Sequence, residues 1–372
     1  MASHQEQVRT VRFAVVGQGH FAQTAILPAF ESIESCKLTA LFSGDTDKLA
    51  ELKQKYGVEH TLGYDDYDAF LSSGGVDAVY LALPNHQHRD FTVRAAAAHV
   101  NVLCEKPMAV TSEECRAMIA ACEDARVKLM IAYRLHFDEA NMSIVDILAS
   151  GRLGEPRFFL SGFSQQVTKG IRTDAKKGGG PIFDIGVYCI NAARYLFGAE
   201  PAEVMGISAR KMDDDRFRDV EEQVSVVMRF PNEGLANFTC AFGGADEGFY
   251  DVVCTEGRVR LDPAYEYAAD LRGEVTPKEG NTEVHKFPKR DQIAAEIAYF
   301  ADCVVHDRPP EPSGREGLAD VRVIEAIQES LRNHATVTVH VDDPGLRPSG
   351  GQAQRYPAHE KPETVKTHAP TR

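Results

Sequence analysis

The run Val11-Arg12-Phe13-Ala14-Val15-Val16 passes without a spacer into Gly17-Gln18-Gly19-His20-Phe21-Ala22, and this junction constrains the fold more than any other part of the chain. A buried strand that ends in a glycine turn and leads at once into a helix begins a crossover unit, which sets its strands parallel in one sheet. From Val11 to about Ala132 short apolar runs keep alternating with longer amphipathic ones. The apolar runs predict strands at Val11 to Val16, Leu38 to Phe42, Ala78 to Leu81, Val100 to Cys104 and Leu129 to Ala132. Between them Asp47 to Tyr56 and His88 to Ala98 have helical length. Thr111-Ser112-Glu113-Glu114 is a capping box, threonine at N-cap and glutamate at N3, that opens a further helix. Residues 1–133 are therefore assigned to a doubly wound α/β domain of the dinucleotide-binding, Rossmann type.

The pattern then changes. Phe137 to Ser150 predicts a helix, closed by the turn Gly151-Arg152-Leu153-Gly154-Glu155-Pro156. Arg157 to Phe163, Val204 to Arg210, Gln223 to Phe230, Leu235 to Phe242 and Tyr250 to Cys254 read as strands without regular intervening helices. That is the α+β signature of an open, mainly antiparallel sheet, assigned to residues 134–342. Ile182 to Phe197 interrupts it with apolar helical spacing, so one helix is expected to pack on this sheet near the junction. Late helices follow at Ile293 to Val305 and Gly317 to Asn333. In the first of these, Ile293, Ile297, Phe300, Ala301 and Val304 form one core-facing stripe. Residues 343–372, rich in proline, glycine and charge, are expected to be a disordered tail.

At 372 residues and 43% hydrophobic, the chain has material for two cores. A formal net charge of -14 argues against nucleic acid or an anionic membrane as partner, because both would repel it on average. The start Met1-Ala2-Ser3-His4-Gln5-Glu6-Gln7 has no apolar signal core, and no stretch approaches the roughly twenty apolar residues of a membrane span. Eight cysteines, scattered through apolar runs without a C-x-x-C pair, read as reduced core thiols of a cytoplasmic protein.

Chemistry concentrates in four places. The glycines of Gly17-Gln18-Gly19-His20-Phe21-Ala22 allow a tight turn and close approach to a pyrophosphate, and the helix N-terminus attracts its charge. The second predicted strand ends at Phe42-Ser43-Gly44-Asp45-Thr46-Asp47-Lys48, where a cofactor lacking a 2′-phosphate usually meets an acidic side chain. Here Ser43 takes that point with Lys48 close by, which favours NADP over NAD; the plainer alternative is a turn serine and one more exposed lysine. Leu83-Pro84-Asn85-His86-Gln87-His88 follows the third strand at the sheet edge where ligands collect, so Leu83, Pro84, Asn85 and His88 are candidate cofactor contacts. A metal is not expected, since no His/Cys/Asp cluster has zinc spacing.

Glu105-Lys106-Pro107 closes a strand, and proline biases the preceding lysine toward an extended conformation. Downstream, Gly178-Gly179-Gly180 leads into a helix on which Asp184 and Tyr188, four apart, share a face. Such polar groups are costly to bury without partners, and a substrate hydroxyl would be one. A carbinol oxidised at carbon must also lose its hydroxyl proton. Tyr188 is the candidate base, Lys106 a cation that favours phenolate by charge attraction, and Asp184 a holder of a neighbouring hydroxyl. Arg172 and Thr173, in the loop Gln165 to Lys177, are candidate hydroxyl contacts; the alternative is that they are ordinary polar residues of a solvated loop.

Together with Tyr133-Arg134-Leu135-His136, Glu105-Lys106-Pro107-Met108 and the stretch Asp184 to Leu196, these motifs resemble the glucose-fructose oxidoreductase (Gfo/Idh/MocA) family over roughly residues 10 to 340. Tyrosine at 188 resembles the branch of sugar oxidoreductases, aldose dehydrogenases and dihydrodiol dehydrogenases. The resemblance implies Lys106 and Tyr188 as catalytic with Asp184 assisting, NADP as cofactor, and Glu105 and Arg134 among its contacts. It also implies a sugar or polyol substrate and pairing into dimers or tetramers through the second sheet. Glucose-fructose oxidoreductase carries a long N-terminal arm, whereas about ten residues precede the first strand here, so an ordinary dehydrogenase is expected ahead of a sugar-sugar transhydrogenase. A non-catalytic NADP-binding regulator is the rival of a different class.

Overall fold

The computed structural model describes residues 9–342 and 345–371. The expectations that rest on residues 1–8, and on 343, 344 and 372 of the tail, lie outside these residues. Among the described residues the first sheet has six parallel strands: β1 (Val11–Val16), β2 (Cys36–Phe42), β3 (His60–Leu62), β4 (Ala78–Leu81), β5 (Asn101–Glu105) and β6 (Leu129–Ala132). Their order is β3-β2-β1-β4-β5-β6, so the winding reverses between β1 and β4 and leaves a crevice beyond their carboxyl ends. The capping box forms as the sequence dictates: Thr111 Oγ1 accepts from Glu114 N (3.2 Å), and Glu114 accepts from Thr111 N (3.1 Å).

The second sheet has nine strands: β7 (Pro156–Ser164), β8 (Glu203–Ala209), β9 (Gln223–Arg229), β10 (Leu235–Ala241), β11 (Glu247–Cys254), β12 (Gly257–Leu261), β13 (Leu271–Pro277), β14 (Glu283–Phe287) and β15 (Val337–Thr338). They run in the order β14-β13-β12-β11-β7-β10-β9-β8-β15, all antiparallel except β7 with β10. Period-two alternation splits the sheet into an inner and an outer face. Phe159, Ser161 and Phe163 point inward and are buried, while Phe158 and Leu160 point outward. The strands β3 and β12 to β15 escape sequence detection because they are short, or carry charge at alternate positions, as in Leu271-Arg272-Gly273-Glu274-Val275.

The expected helix on the inner face is present, in two parts: a π-helical turn (Ile182–Gly186) and the α-helix Val187–Phe197. Ser161 Oγ on β7 donates to Cys189 Sγ (3.5 Å), and the Phe163 ring meets the Tyr188 ring edge-on at 5.7 Å. At its far end the fully buried Arg194 pairs with Glu316 (2.8 Å), Glu200 (2.9 Å) and Asp320, pinning this helix to the helix Gly314–Asn333. That long helix joins the two sheets: Ile131 N of β6 donates to Pro312 O (3.1 Å) just before its start, and Gly206 N of β8 donates to Ser330 Oγ (3.0 Å) near its end.

Two boundaries differ from the sequence expectation. The helix Gln292–Val305 lies within the segment assigned to the second domain, yet its apolar stripe packs into the first core, with Phe300 6.3 Å from Phe13 of β1. The described part of the tail is not loose either. Gln352 Nε2 donates to Glu311 O (3.1 Å), Asp291 N donates to Tyr356 O (3.2 Å), and Thr168 N donates to Pro370 O (2.8 Å). Its composition cannot build a core, but its backbone groups find partners on the two domains.

Because Arg194 neutralises buried carboxylates, Arg194→Ala leaves them uncompensated. Urea denaturation is expected to show a loss of about 3–5 kcal/mol, the cost of breaking a buried ion pair from one side.

Candidate active site

The glycine turn occupies the crevice between β1 and β4. Gly17 has φ +96°, and a Cβ there would lie 2.4 Å from the Ala82 carbonyl oxygen, so only glycine lets the two strand ends close up. Gly19 is the opposite case: a Cβ would meet nothing within 4 Å, because it faces the open crevice. The following helix begins at His20 and contains a π-turn (Ala22–Ile26). Its first N–H groups and its dipole favour an anion at that opening. Among the described residues, Gln18 Oε1 and His20 Nδ1 are buried and have no hydrogen-bond partner. Burial lowers the His20 pKa, with Lys361 and then Arg172 adding to the effect. An open cradle, a helix N-terminus and the unpartnered His20 Nδ1 fit the pyrophosphate of a dinucleotide, whereas Gln18 Oε1, an acceptor, would need a donor elsewhere on the cofactor. Phe21 turns aside and meets Tyr267 edge-on at 5.9 Å.

At the end of β2, Ser43 is buried and its Oγ accepts from Asp45 N (3.2 Å). Asp45 caps the helix Thr46–Tyr56 by accepting from Lys48 N (2.9 Å), and that N–H is the leading reason its pKa is lowered. Its Oδ1 is therefore engaged at the helix start, while the residue remains only half-buried. Lys48 is half-buried one turn into the same helix.

In the loop after β4, Leu83 is buried, Pro84 half-buried, and Asn85 Nδ2 donates to Gly178 O (2.7 Å), linking the first domain to the glycine run of the second. A Cβ on Gly178, which has φ +75°, would sit 2.9 Å from the Asn85 Cβ. His88, expected among the cofactor contacts, is placed differently. It has no exposed surface, and its ring nitrogens lie against Pro107 O (3.0 Å) and Leu83 O (2.9 Å). It braces the loop against the Glu105-Lys106-Pro107 turn.

That turn carries the central cation. Lys106 Nζ donates to the Asp184 carbonyl oxygen (2.8 Å), lies 3.6 Å from Asp184 Oδ1, and sits 4.6 Å from the centre of the Tyr188 ring. The other carboxylate oxygen of Asp184 is 3.1 Å from Arg172 Nε, an ion pair without hydrogen-bond alignment. Glu105 accepts from Lys106 N (3.2 Å) and from the Tyr80 hydroxyl (2.8 Å), which also lies 3.3 Å from Glu296. Burial raises the pKa of Glu105, and raises that of Glu296 still more. Glu105 therefore works beneath the site, holding the turn.

The phenolic oxygen of Tyr188 accepts from Arg134 Nε (3.2 Å). The expected cation, Lys106, lies over the ring instead. Arg134 is buried and donates also to Gln292 Oε1 (2.8 Å) and to the Tyr265 carbonyl (2.5 Å). Burial works against its charge, but Tyr188 first, then Glu266 and Tyr267, hold its pKa above the ordinary value. Arg134 was expected among the cofactor contacts; its hydrogen bonds are instead to Tyr188 and to the groups that fix its own position. Neither Gln292 nor Tyr265 carries a local sequence signal for this role, because both reach the site from distant segments. Among the described residues no group of three or more His, Cys, Asp or Glu side chains is placed to hold a metal, and no helix is long and apolar enough to cross a membrane.

The two glycines separate folding from binding. Gly17→Ala should lower stability by about 1–3 kcal/mol through backbone strain and the clash with Ala82, whereas Gly19→Val should leave the melting temperature unchanged and weaken dinucleotide binding. Thermal melts and NADPH fluorescence titrations of both variants check this.

Residues 11–133 match the model of an oxidoreductase family with an NAD-binding Rossmann fold, and residues 142–260 match the GFO/IDH/MocA C-terminal domain. A D-xylose 1-dehydrogenase (NADP(+)) of Haloarcula marismortui is 33% identical over 345 residues, covering 90% of this chain and 95% of that protein. The crystal structure of an aldose-aldose oxidoreductase from Caulobacter crescentus, complexed with glycerol, is 35% identical with a TM-score of 0.85, covering 89% of this chain and all of that one. A 3-ketoreductase from Actinomadura kijaniata, crystallised with NADP and TDP-benzene, is 26% identical with a TM-score of 0.79, over 87% of this chain and 98% of that one. With both domain models matched in order on one continuous chain, the protein belongs to the Gfo/Idh/MocA oxidoreductase family.

Proposed function

We propose that this protein is an NADP-dependent oxidoreductase that transfers hydride between a sugar, an aldose or related polyol, and the nicotinamide, with Tyr188 as the acid/base. The arrangement that carries this reading is Tyr188, whose oxygen takes a hydrogen bond from a buried guanidinium and whose ring lies under the Lys106 ammonium. In the oxidative direction the substrate hydroxyl proton passes to the Tyr188 oxygen, the carbon–oxygen double bond forms, and hydride leaves the same carbon. NADP, when bound, supplies the nicotinamide ring that takes the hydride. Arg134, donating to the Tyr188 oxygen, and Lys106, over its ring, would stabilise negative charge on that oxygen during the proton transfer. Asp184, oriented by Lys106 and Arg172, presents a carboxylate to a neighbouring hydroxyl, which favours polyhydroxylated substrates over simple alcohols.

For the cofactor, a Ser43 hydroxyl at the end of β2 and Lys48 one turn into the next helix suit a 2′-phosphate, while Asp45 Oδ1 is engaged by the Lys48 N–H. The names of the relatives agree with this, since the xylose dehydrogenase is NADP-dependent and the ketoreductase was crystallised with NADP. Gly17, Gln18, Gly19 and His20 would hold the pyrophosphate, with Ser43 and Lys48 at the 2′-phosphate and Leu83, Pro84 and Asn85 beside the nicotinamide. We place the enzyme in the cytoplasm on its eight buried free thiols.

We also infer self-association through the outer face of the second sheet. Leu160 of β7, Asn237 of β10, Val227 of β9 and Met205 of β8 lie in one cross-strand row. Phe158, Leu235 and Ile207 flank it, and all but Asn237 are exposed large apolar side chains. Contiguous apolar exposure of this kind marks an interface, here with a second copy. Light scattering of Ile207→Asp should give a smaller particle than the parent; an unchanged mass would count against this face.

An NADP-coupled screen over aldoses, ketoses and vicinal diols tests the reaction. On whichever substrate is turned over, Tyr188→Phe should lose at least about 10²-fold in kcat, the usual contribution of a positioned acid/base, while still binding NADPH. Retained activity in that variant, or NADP binding without turnover of any substrate, would favour the regulator over the enzyme.

A further inference from the structure

We propose that the C-terminal segment, residues 358–371, is a third wall of the dinucleotide site, which presents Lys361 and Lys366 to the cofactor's phosphates and slows its release. The inference rests on the NADP reading above. The path of the segment supports it. Its start is fixed beside the helix Gln292–Val305, where Arg290 bridges to Pro357 and Asp291 N bonds Tyr356 O. Ala358, His359 and Lys361 then close a cavity of about 100 Å³ against Thr24 and Ala25, on the helix that follows the glycine turn, and against Tyr267 of the segment between β12 and β13.

From there the segment runs beside the helix that follows the glycine turn and the helix Thr46–Tyr56. Val365 N donates to Gln23 Oε1 (2.6 Å) and Gln23 Nε2 donates to Val365 O (3.0 Å), a two-point clamp one residue after Ala22. Lys366 Nζ reaches Asp47 (3.0 Å) beside the end of β2. Residues 370 and 371 rest on the second domain, where Pro370 O accepts from both Thr168 N (2.8 Å) and Thr168 Oγ1 (3.1 Å), and Thr371 bridges to Val167. Glycine turn, β2 end and second domain are thereby spanned by one strand of chain.

Charge gives the segment its role. Lys361 and Arg172 both lie close enough to His20 to lower its pKa, so same-sign groups gather around a helix N-terminus that already favours an anion. Among the described residues Lys361 has no ion-pair partner, and a diphosphate would serve as one. At the β2 end the opposite problem arises, because Asp45 and Asp47 would repel a 2′-phosphate beside Ser43. Lys366, whose pKa is raised chiefly by its hydrogen bond to Asp47 and further by the charges of Asp47, Asp45 and Glu51, offsets that repulsion. A cofactor enclosed on this side leaves only after the Gln23–Val365 clamp or the Thr168–Pro370 contacts open.

The test is NADPH release, measured by stopped-flow fluorescence on displacement with NADP, for the full chain, a chain ending at His359, and the full-length double variant Lys361→Glu/Lys366→Glu. Both variants should release NADPH at least about tenfold faster, the factor expected for losing a charge-assisted contact, with the larger effect for the shortened chain. Melting curves check folding, and if the shortened chain is unfolded the double variant decides. Unchanged release in a folded variant would overturn the wall. So would slower release or tighter binding, which would show that the segment competes with the cofactor for the crevice. Failure of the full chain to bind NADPH would overturn the NADP reading itself.

Discussion

Lys106 donates a hydrogen bond to the backbone carbonyl of Asp184, and the geometry of the site depends on that contact. It joins the carboxyl end of β5 in the first domain to the turn that begins the Tyr188 helix in the second. Charge-assisted bonds to a carbonyl have a preferred direction, so the ammonium sets the separation of the two domains and the height of the tyrosine above the crevice. Asn85 with Gly178 repeats the link on one side, and Arg134, which reaches Gln292 and Tyr265 as well as Tyr188, repeats it on the other.

Beneath these contacts the protein invests in rigidity. His88 braces two turns through its ring nitrogens, and Glu105 holds the lysine turn through Tyr80. On the far side of the Tyr188 helix, Arg194 locks three segments together with buried charge: its own helix, the loop at Glu200 and the helix Gly314–Asn333. Buried ion pairs add little net stability, since desolvation cancels most of their attraction, but they penalise any other arrangement of the same groups. A hydride-transfer site needs that kind of definition, because small misplacements of the reacting groups cost large factors in rate.

Most of the first domain was legible in the sequence, since its five longer strands are apolar runs and the helices Thr46–Tyr56 and Ser112–Ala125 have start signals; the three-residue β3 was not. The capping box at Thr111 and the glycine pair at 17 and 19 are local codes, and they form as read. Helical spacing read Asp184 and Tyr188 onto one face; both lie against Lys106, although Asp184 sits in the π-helical turn before the α-helix. What could not be read depends on long-range contact. The partner of the Tyr188 oxygen was assigned to Lys106, but a sequence does not reveal which of two cations ends at the oxygen and which at the ring. The helix Gln292–Val305 returns to the first core because its apolar stripe completes the face opposite β1, which nothing in its own residues announces. The tail was misjudged on composition, which measures the capacity to form a core and not the capacity to borrow one.

The central claim is that Arg134 acts through the Tyr188 oxygen, and a double-mutant cycle tests it most directly. Turnover on the best substrate would be compared for the parent, Arg134→Met, Tyr188→Phe and the combined variant, with NADPH affinity measured alongside. If the guanidinium works by holding charge on that oxygen, Arg134→Met costs turnover in the parent and almost nothing once the hydroxyl is gone. Additive losses in the two backgrounds would contradict the account and return the role to Lys106.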